Sequence, residues 1–469
     1  MTMAPMAAEC PWKPCDLRGV YPDAVSPVLF RDIGGAIGTM LAPHARVVVA
    51  GDFRLSTPEL KRALSDGLQQ TGIHVLDAGQ GPTPLAYFAA QQLHADAVLI
   101  VTASHNPAAC NGLKLMLGSV PTTPQQLSAI RALAEARTFR GGIGSLETVD
   151  LVPSYRQQTL QRWAHLRDRP RRVVLDAGNG AWSELAPEIF RDLGFEIECI
   201  SCVADGRFPD RSPDCTKVSS LTRLSAAVHG WPDAIGIAWD GDGDRVAFID
   251  EAGSYVTPDE IAILFAGAIL ADKVLNEQGG AKSVVDVKCS DVVRRSILQY
   301  GGDPLLERTG HAFMRSRMVA EQAQLGLDAC GHYFFRELSG GDDGLFAAFY
   351  LLGILQNRDQ SLVQLRRTLP QIFSTPEIRI PVALMSYAEA SAALASAFPE
   401  AFVMDIDGLR LVLEDGIVLV RESGTEPVVS LRIEGFYQPS YTQILTRCLQ
   451  SLPEAASSLC RQSLPAAVQ

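Results

Sequence analysis

A serine and three aspartates are the residues whose types and spacing are best suited to chemistry. Ser104 stands in Thr102-Ala103-Ser104-His105-Asn106-Pro107, directly after the apolar run Ala97–Val101. A hydroxyl at the end of a buried strand projects into the crevice where α/β sheets bind ligands, but it is a nucleophile only beside a base or a metal. Taken alone, the run equally describes a capped turn, a common use of Ser, Asn and Pro. Asp240-Gly241-Asp242-Gly243-Asp244-Arg245 supplies the second group, again at a strand end, after Ile235-Gly236-Ile237-Ala238-Trp239. Carboxylates at i, i+2 and i+4 converge when glycines let the backbone fold tightly, and hard oxygen ligands of this kind suit Mg²⁺ or Ca²⁺. A calcium EF-hand is the obvious rival, with Glu251 at its twelfth position. Arg245, however, stands where that loop requires glycine, and the flanks read as strands. A bare charged hairpin tip is the weaker alternative, since three uncompensated carboxylates repel one another.

Three acids use only part of a Mg²⁺ octahedron, which leaves room for a phosphate oxygen. A phosphoserine at Ser104 would complete the shell, and the metal would then polarise the phosphoryl group. A third motif, Arg421-Glu422-Ser423-Gly424-Thr425-Glu426-Pro427, lies between Ile417–Val420 and Val428–Ile433. Arginine, two hydroxyls and glycine amides in one tight loop make a phosphate cradle. In isolation it is a surface turn; beside a phosphate-handling serine it gains weight.

The elements that must position these groups repeat along the chain. Val47-Val48-Val49, the Gly51-Asp52 turn, a helix from about Thr57 to Gln70, Gly72 and the strand His74-Val75-Leu76 form one unit. A second runs from Val173-Val174-Leu175 through Asp176–Gly180 and a helix near 185–193 to the strand Glu196–Ile200. The third runs from Val284-Val285-Asp286 through a helix near 291–300 to Pro304-Leu305-Leu306. Apolar strand, turn, amphipathic helix and strand are the ingredients of parallel α/β layers. Glycine and proline clusters at Gly141–Ser145, Asp250–Pro258 and Ser374-Thr375-Pro376 mark turns or linkers. Beyond Pro376, alternation such as Val428-Val429-Ser430-Leu431-Arg432-Ile433 predicts a smaller α+β domain with a partly exposed sheet. The expected fold is therefore three related mixed or parallel α/β domains, 1–150, 151–253 and 254–371, with a C-terminal α+β domain over 372–469.

At 469 residues with 47% hydrophobic and 20% charged, the chain can build several cores, in keeping with that division. Its net charge of −12 argues against a general nucleic-acid binder, without excluding a local basic cleft. Residues 1–10 lack a charged n-region followed by an apolar h-region, and Ile261–Ala271 is far shorter than a membrane span. That stretch follows Thr257-Pro258-Asp259-Glu260, a capping box with proline at the first helical position, and so reads as a buried helix. Most of the ten cysteines lie in apolar segments, as reduced core cysteines do. Cys199 and Cys202 form a lone C-x-x-C on the strand-like run Phe195–Ile200, and no second pair completes a zinc site. A cytoplasmic protein free of nucleic-acid and membrane partners is expected.

The Ser104, aspartate and Arg421 motifs, in this order, resemble the α-D-phosphohexomutase family, above all its bacterial phosphomannomutase/phosphoglucomutase branch. Asp16-Leu17-Arg18-Gly19, Gly51–Ser56, Pro82-Thr83-Pro84 and Asn111-Gly112-Leu113-Lys114 also match family elements. So do Asp176–Gly180, Asp205–Pro209, Asp286-Val287-Lys288-Cys289 and Arg308-Thr309-Gly310-His311, so that the resemblance covers nearly the whole chain. It implies four domains around a central cleft. It also implies a phosphorylated Ser104 that joins Asp240, Asp242 and Asp244 on one Mg²⁺ per chain. Arg18, His105 and Lys114 would surround the phosphoserine, with Arg245 beside the metal loop. Lys288 and His311 would orient sugar or phosphate, and Arg421, Ser423, Gly424 and Thr425 would hold the substrate's non-reacting phosphate. One loop departs from the family's Gly-Glu-x-Ser-Gly-His. Here Leu327-Asp328-Ala329-Cys330-Gly331-His332 keeps Gly331 and His332 but replaces the glutamate by Asp328 and the serine by Cys330, a weaker hydrogen-bond donor. Glu337-Leu338-Ser339-Gly340 is an alternative candidate for that loop, disfavoured by its spacing from Asp342-Asp343-Gly344.

The chemistry expected is isomerisation of a hexose 1-phosphate and a hexose 6-phosphate, mannose or glucose, through a 1,6-bisphosphate that also serves as activator. Lys114, His105 and His332 are the candidates for acid and base. The rival readings are a phosphoglucosamine mutase, a Mg²⁺-dependent sugar phosphatase and a catalytically silent sugar-phosphate-binding homologue. Whether the protein is a monomer or a homodimer is left open by the sequence.

Overall fold

The computed structural model describes residues 10–271, 281–423 and 427–464. They fall into two compact units: the chain up to Ile261 together with Cys330–Arg367, and Ala262–Ala329 together with the chain from Thr368.

In the first unit, β1 (Leu17–Val20), β2 (Arg46–Gly51), β3 (His74–Gln80), β4 (Ala97–Val101), β5 (Cys110–Leu117), β6 (Val120–Pro121) and β7 (Ser145–Thr148) make one sheet. Its order is β1-β5-β4-β2-β3-β7, with β6 beside β5. The β4-β2-β3-β7 part is parallel and β1, β5 and β6 are antiparallel. A second sheet holds β8 (Arg172–Asp176), β9 (Glu196–Ile200), β10 (Ile235–Trp239), β11 (Val246–Ile249) and β12 (Tyr255–Val256) in the order β12-β11-β10-β8-β9. Every residue of β4 and of β10 is buried, as expected of strands covered on both faces, and such strands write themselves as unbroken apolar runs.

The second unit contains β13 (Lys282–Asp286), β14 (Asp303–Glu307) and β15 (Leu325–Leu327), which pair in parallel as β14-β13-β15. The short antiparallel pair β16 (Tyr333–Phe335) and β17 (Gly341–Asp342) belongs to the first unit. Beyond them, β18 (Phe373–Ser374), β19 (Ile378–Pro381), β20 (Phe402–Asp405), β21 (Leu409–Val412), β22 (Gly416–Glu422) and β23 (Val428–Gly435) form a six-stranded antiparallel sheet. Helices Tyr387–Ala397, Gln438–Ser451 and Glu454–Ser463 accompany it. The α+β reading of this part holds, but exposure is confined to β20, alternate positions of β19 and Glu422 at the end of β22, while the rest of β22 and β23 is largely buried. Their second face is occupied: Arg410 Nη1 donates to Val287 O at 2.8 Å and Ser290 Oγ to Glu434 Oε1 at 2.8 Å.

All three repeats are present as parallel strand–helix–strand units: β2, helix Thr57–Gln69, β3; β8, helix Leu185–Asp192, β9; and β13, helix Asp291–Gln299, β14. They share one device. The aspartate at or just past the end of the first strand accepts a hydrogen bond from the backbone N–H two residues on: Arg54 N to Asp52 at 3.0 Å, Gly178 N to Asp176 at 2.9 Å and Lys288 N to Asp286 at 2.8 Å. Such an Asx turn reverses the chain at the strand's carboxyl end, where ligands of parallel sheets bind.

Two of the suggested boundaries are part of sheets. Gly144-Ser145 leads straight into β7, and Phe373–Ser374 pairs with β23, because main-chain hydrogen bonds hold even glycine- and proline-flanked segments once a sheet edge is available. The helix at Pro258–Leu270 begins as expected, with Glu260 N donating to Thr257 Oγ1 at 3.3 Å and Thr257 N to Glu260 Oε2 at 2.8 Å. No helix among the described residues is long and apolar enough to cross a membrane. The cysteines depart from the expectation: only Cys215, Cys289, Cys448 and Cys460 are buried, since an apolar neighbour in sequence does not ensure that the thiol faces the core.

Asp343 caps the helix Gly344–Arg358, accepting from Leu345 N at 2.8 Å and Phe346 N at 2.9 Å, and takes a further bond from Tyr155 Oη–H at 2.8 Å. Burial outweighs these bonds and pushes its carboxyl up to about 6 from 3.8. The native state therefore binds this proton more tightly than the unfolded chain, so stability is lost as pH rises from about 4 to 6, by roughly 3 kcal/mol. Asp343→Asn retains a capping oxygen and removes the titration. Its melting temperature relative to the parent is expected to climb between pH 4.5 and 6.5 and then level off; parallel profiles would refute the assignment.

Candidate active site

β4 and β10 deliver the two principal loops of the first unit. Ser104 follows β4 and is buried, with a left-handed φ of 50° that aims its hydroxyl at the second loop. Its Oγ donates to Asp240 Oδ2 at 2.9 Å and lies 3.2 Å from His105 Nδ1. Thr102 Oγ1 accepts from Ser104 N at 2.9 Å and donates to Asp52 Oδ2 at 2.7 Å. Arg54 fixes the rest of the loop. It is fully buried and donates to the carbonyls of Ser104 (2.8 Å), Asn106 (2.6 Å), Pro107 (2.6 Å) and Cys110 (2.9 Å) as well as to Asp52 Oδ2 (3.0 Å).

The aspartate loop bridges antiparallel β10 and β11, with Trp239 paired to Val246, so its flanks are strands as expected. Asp240 Oδ1 accepts from Gly243 N at 3.0 Å and Arg245 N at 3.2 Å, folding the loop on its own first carboxylate. Gly243 has a φ of 79°, and a Cβ there would come within 2.4 Å of Trp182 Nε1, whose N–H donates to Gly243 O. A Cβ on Gly241 would lie 2.5 Å from Ser104 O, so glycine is what permits the two loops to touch.

Positive charge converges on this loop. Lys114, on β5, is buried and donates from Nζ to Asp242 Oδ2 at 2.6 Å and to Asp244 Oδ2. Burial would lower its pKa, yet Asp242 and Asp244 hold it well above the ordinary value. Thr83 Oγ1 also donates to Asp242 Oδ2, at 2.7 Å. His332 Nε2 lies 3.2 Å from Asp244 Oδ1 and accepts from Arg245 Nε at 3.1 Å. Burial, then the charges of Arg245 and Arg18, lower the His105 imidazole well below its usual value. Burial and the neighbouring carboxylates push Asp240 up to about 7, whereas against burial Lys114 and His332 hold Asp244 well down. Arg18 Nε pairs with Asp16 Oδ2 at 2.8 Å, and its Nη1 lies 3.5 Å from Asn106 Oδ1.

One oxygen from each of Asp240, Asp242 and Asp244 lies within 4.8 Å of the others. Asp242 Oδ1 is buried with no hydrogen-bond partner among the described residues, and Ser104 Oγ stands beside Asp240. An all-oxygen donor set with two uncommitted buried carboxylate oxygens, Asp242 Oδ1 and Asp244 Oδ1, fits a hard divalent cation.

The second unit gathers a different set. Lys288, past the end of β13, donates from Nζ to Glu377 Oε2 at 2.9 Å. Burial would raise Glu377, but Lys288 foremost, with Arg379 and Arg421, holds it below the ordinary value; three cations therefore converge on one carboxylate. Arg421 Nε and Nη2 both donate to Asp407 Oδ2, at 3.0 and 2.7 Å, and Ser423 N donates to Val428 O at 2.9 Å. Gly424 and Thr425 lie outside the described residues. His311 opens the helix His311–Glu321 after β14, and Asp328 is buried past β15, next to Asp286 electrostatically. The unusual loop thus divides: Asp328 belongs with Lys288, while Cys330 and His332 belong to the first unit. Gly331 is required there, at a φ of 87° with a Cβ position 2.8 Å from Val246 O. The alternative at Glu337–Gly340 overlaps a 3₁₀ turn, Arg336–Leu338, whose Glu337 is exposed and paired with Arg162.

Ser104, His105, Arg18, Lys114, Arg245, His332 and the three aspartates are therefore brought together, and Lys288 and Arg421 share a second cluster. Arg54 and Arg379 were not singled out by the sequence. Arg54 stood inside a matched motif, Gly51–Ser56, and a fully buried arginine could have been suspected there; nothing local marks Arg379.

Comparison with known proteins follows this geometry. Four family descriptions match in order: phosphoglucomutase/phosphomannomutase alpha/beta/alpha domain I over residues 13–141, domain II over 153–253, domain III over 257–373 and the C-terminal domain over 377–447. A phosphomannomutase/phosphoglucomutase of Pseudomonas aeruginosa is 34% identical over 461 residues, covering 97% of this chain and 98% of that protein. A phosphoglucomutase of Neisseria gonorrhoeae is 34% identical over 446 residues, covering 93% and 95%. The crystal structure of a phosphoglucomutase/phosphomannomutase family protein from Burkholderia thailandensis superposes with a TM-score of 0.84 at 33% identity, covering 98% of this chain and 99% of that one. With all four domains matched and relatives alike from end to end, the chain belongs to the phosphoglucomutase/phosphomannomutase family and is a phosphohexomutase, an isomerase that works by phosphoryl transfer.

Proposed function

We propose that the protein interconverts the 1- and 6-phosphates of mannose or glucose through a phosphoserine at Ser104 and a hexose 1,6-bisphosphate. The observation that carries this reading is the 2.9 Å contact of Ser104 Oγ with Asp240 inside a buried acidic loop countered by Lys114. In the first step the bond from Ser104 Oγ to phosphorus breaks and a bond from the free sugar hydroxyl to phosphorus forms, with the hydroxyl proton passing to a nearby base. The bisphosphate turns over, and its other phosphoryl group returns to Ser104 by the reverse exchange. One nucleophile then serves both ends of the sugar.

Asp240, Asp242, Asp244 and the Ser104 oxygen are the residues that would hold Mg²⁺, which supplies polarisation of the phosphoryl oxygens and neutralisation of their charge. Lys114 and Arg245 add fixed positive charge beside the transferring group, where preorganised cations favour the transition state. His105, 3.2 Å from Ser104 Oγ, and His332, between Asp244 and Arg245, are the imidazoles placed to carry protons. Arg421, Ser423, Gly424 and Thr425 grip the non-reacting phosphate, with Lys288 and His311 orienting the sugar or the phosphate. The orientation of the Arg421 fork by Asp407 supports this role. The four-domain division after residues 150, 253 and 371 belongs to the same proposal.

The test is a coupled assay with Mg²⁺ and catalytic hexose 1,6-bisphosphate that compares mannose 1-phosphate, glucose 1-phosphate and glucosamine 1-phosphate. Isomerisation of the first two, with at least tenfold lower kcat/KM for glucosamine 1-phosphate, is expected, about 1.4 kcal/mol of discrimination. Turnover of glucosamine 1-phosphate alone would transfer the assignment to that sugar, and hydrolysis without isomerisation would make the protein a phosphatase.

A further inference from the structure

Cys199 and Cys202 lie at the end of β9, apart from the groups described above. Ser201 between them takes a left-handed φ of 52°, which turns the chain between the two cysteines, and each thiol shifts the titration of the other. Cys199 is exposed and Cys202 half-buried. Arg191 Nη2 approaches Cys199 Sγ at 3.8 Å, while Cys202 Sγ donates to Ile200 O at 3.3 Å and lies 3.6 Å from Leu175 O. The Cys202 thiol foremost, helped by the Arg191 charge and opposed by burial, draws the Cys199 thiol down to about 7; the Cys199 thiol and burial push Cys202 up. One thiol is therefore accessible and readily ionised, and its half-buried neighbour stays protonated, with its S–H on a backbone carbonyl. That asymmetry distinguishes an attacking from a resolving cysteine.

The pair also reaches the active-site loops through backbone contacts. Ser201 O accepts from Asn179 N at 2.8 Å. The next residue, Gly180, packs so closely that a Cβ would lie 2.9 Å from Gly241 O, and Ala181 N donates to Gly241 O at 3.0 Å. Gly241 is the glycine that touches Ser104 O.

We propose that Cys199 and Cys202 are a peroxide-sensitive modification site whose closure to a disulfide displaces the Ser201–Asn179 contact and lowers turnover. Cys199 thiolate attacks hydrogen peroxide; with one proton taken up, this gives a sulfenic acid and water. The Cys202 sulfur then attacks the sulfenic sulfur, forming the S–S bond and releasing a second water. Two thiols are oxidised by two electrons and one peroxide is reduced to two waters.

The experiment exposes the reduced full-length protein to hydrogen peroxide, alkylates the remaining thiols and digests with trypsin. The peptide Asp192–Arg207 carries both cysteines and is expected to be lighter by two hydrogens and unalkylated. Turnover should fall severalfold and recover with dithiothreitol. Cys199→Ser is expected to keep its basal turnover and lose its sensitivity to peroxide, and Cys202→Ser to accumulate a dimedone-reactive sulfenic acid at Cys199. Alkylation of both thiols in that peptide after peroxide treatment would overturn the proposal, as would equal inhibition of Cys199→Ser and the parent. The peptide mass reads the thiol pair whether or not the protein isomerises hexose phosphates, so failure here and failure of the proposed function are told apart.

Discussion

Ser104→Ala is expected to lower kcat by roughly 10⁴-fold or more while leaving the protein folded, the scale on which enzymes lose activity when a covalent nucleophile is removed. The change removes one hydrogen bond to Asp240 Oδ2, worth about 1 kcal/mol. The backbone at φ 50° costs alanine about as much as it costs serine, so the loop has no reason to rearrange. Ser104→Gly separates the two contributions: it relieves the left-handed backbone and should match or exceed the parent in melting temperature while remaining as inactive as alanine. The readouts are the coupled isomerase assay, intact mass for the phosphoryl group, and thermal melts. Near-parental turnover in either variant would show that Ser104 is not the phosphoryl carrier.

Arg54→Met is expected to give the largest loss of stability of any single substitution near the site, about 3–5 kcal/mol, because it leaves Asp52 buried without its guanidinium partner. Asp52 would retain Thr57 Oγ1 at 2.8 Å and Thr102 Oγ1 at 2.7 Å, so its carboxylate is not stranded altogether. The heavier consequence falls on the serine loop, whose four carbonyls lose their common donor. Turnover should fall by at least tenfold with little change in KM, since a displaced nucleophile penalises the transition state more than binding. Arg54→Lys keeps the charge but cannot span five acceptors with one ammonium, and should recover part of the stability and little of the turnover. Calorimetry of both variants, alongside their kinetics, distinguishes the two effects. An Arg54→Met protein with parental melting and parental kcat would remove Arg54 from any positioning role.

Much of this was legible in the chain itself, and the reason is local. Strands β4 and β10 are buried throughout, so each is written as a short unbroken apolar run, and in β8 and β13 the apolar residues end at the aspartates of the repeats. The Asp-Gly-Asp-Gly-Asp spacing converges within a single turn, which makes it readable without knowing any distant partner. Ser104 was legible for the same reason, by its position just past a strand. Linker assignments were less secure. The glycines before β7 and the proline after β18 look like breaks in sequence, whereas hydrogen bonding to β3 and β23 takes the adjoining residues into sheets.

What the sequence alone determined, then, is the set of layers, the ends of the strands, and the candidate serine and acidic loop that follow β4 and β10. What only the tertiary structure decided is how those groups are charged and held. Lys114 meets Asp242 across 128 positions, Arg54 reaches Ser104 across 50 and Lys288 meets Glu377 across 89, with no periodicity or composition to announce the pairing. The lone C-x-x-C is the same case in miniature. In sequence it is two thiols on a strand; the left-handed turn at Ser201 and the approach of Arg191 give the two sulfurs different chemistry. A local pattern records which face of an element is buried, but electrostatic partnership depends on which surfaces packing brings within a few ångströms, and that is set only when the whole chain has folded.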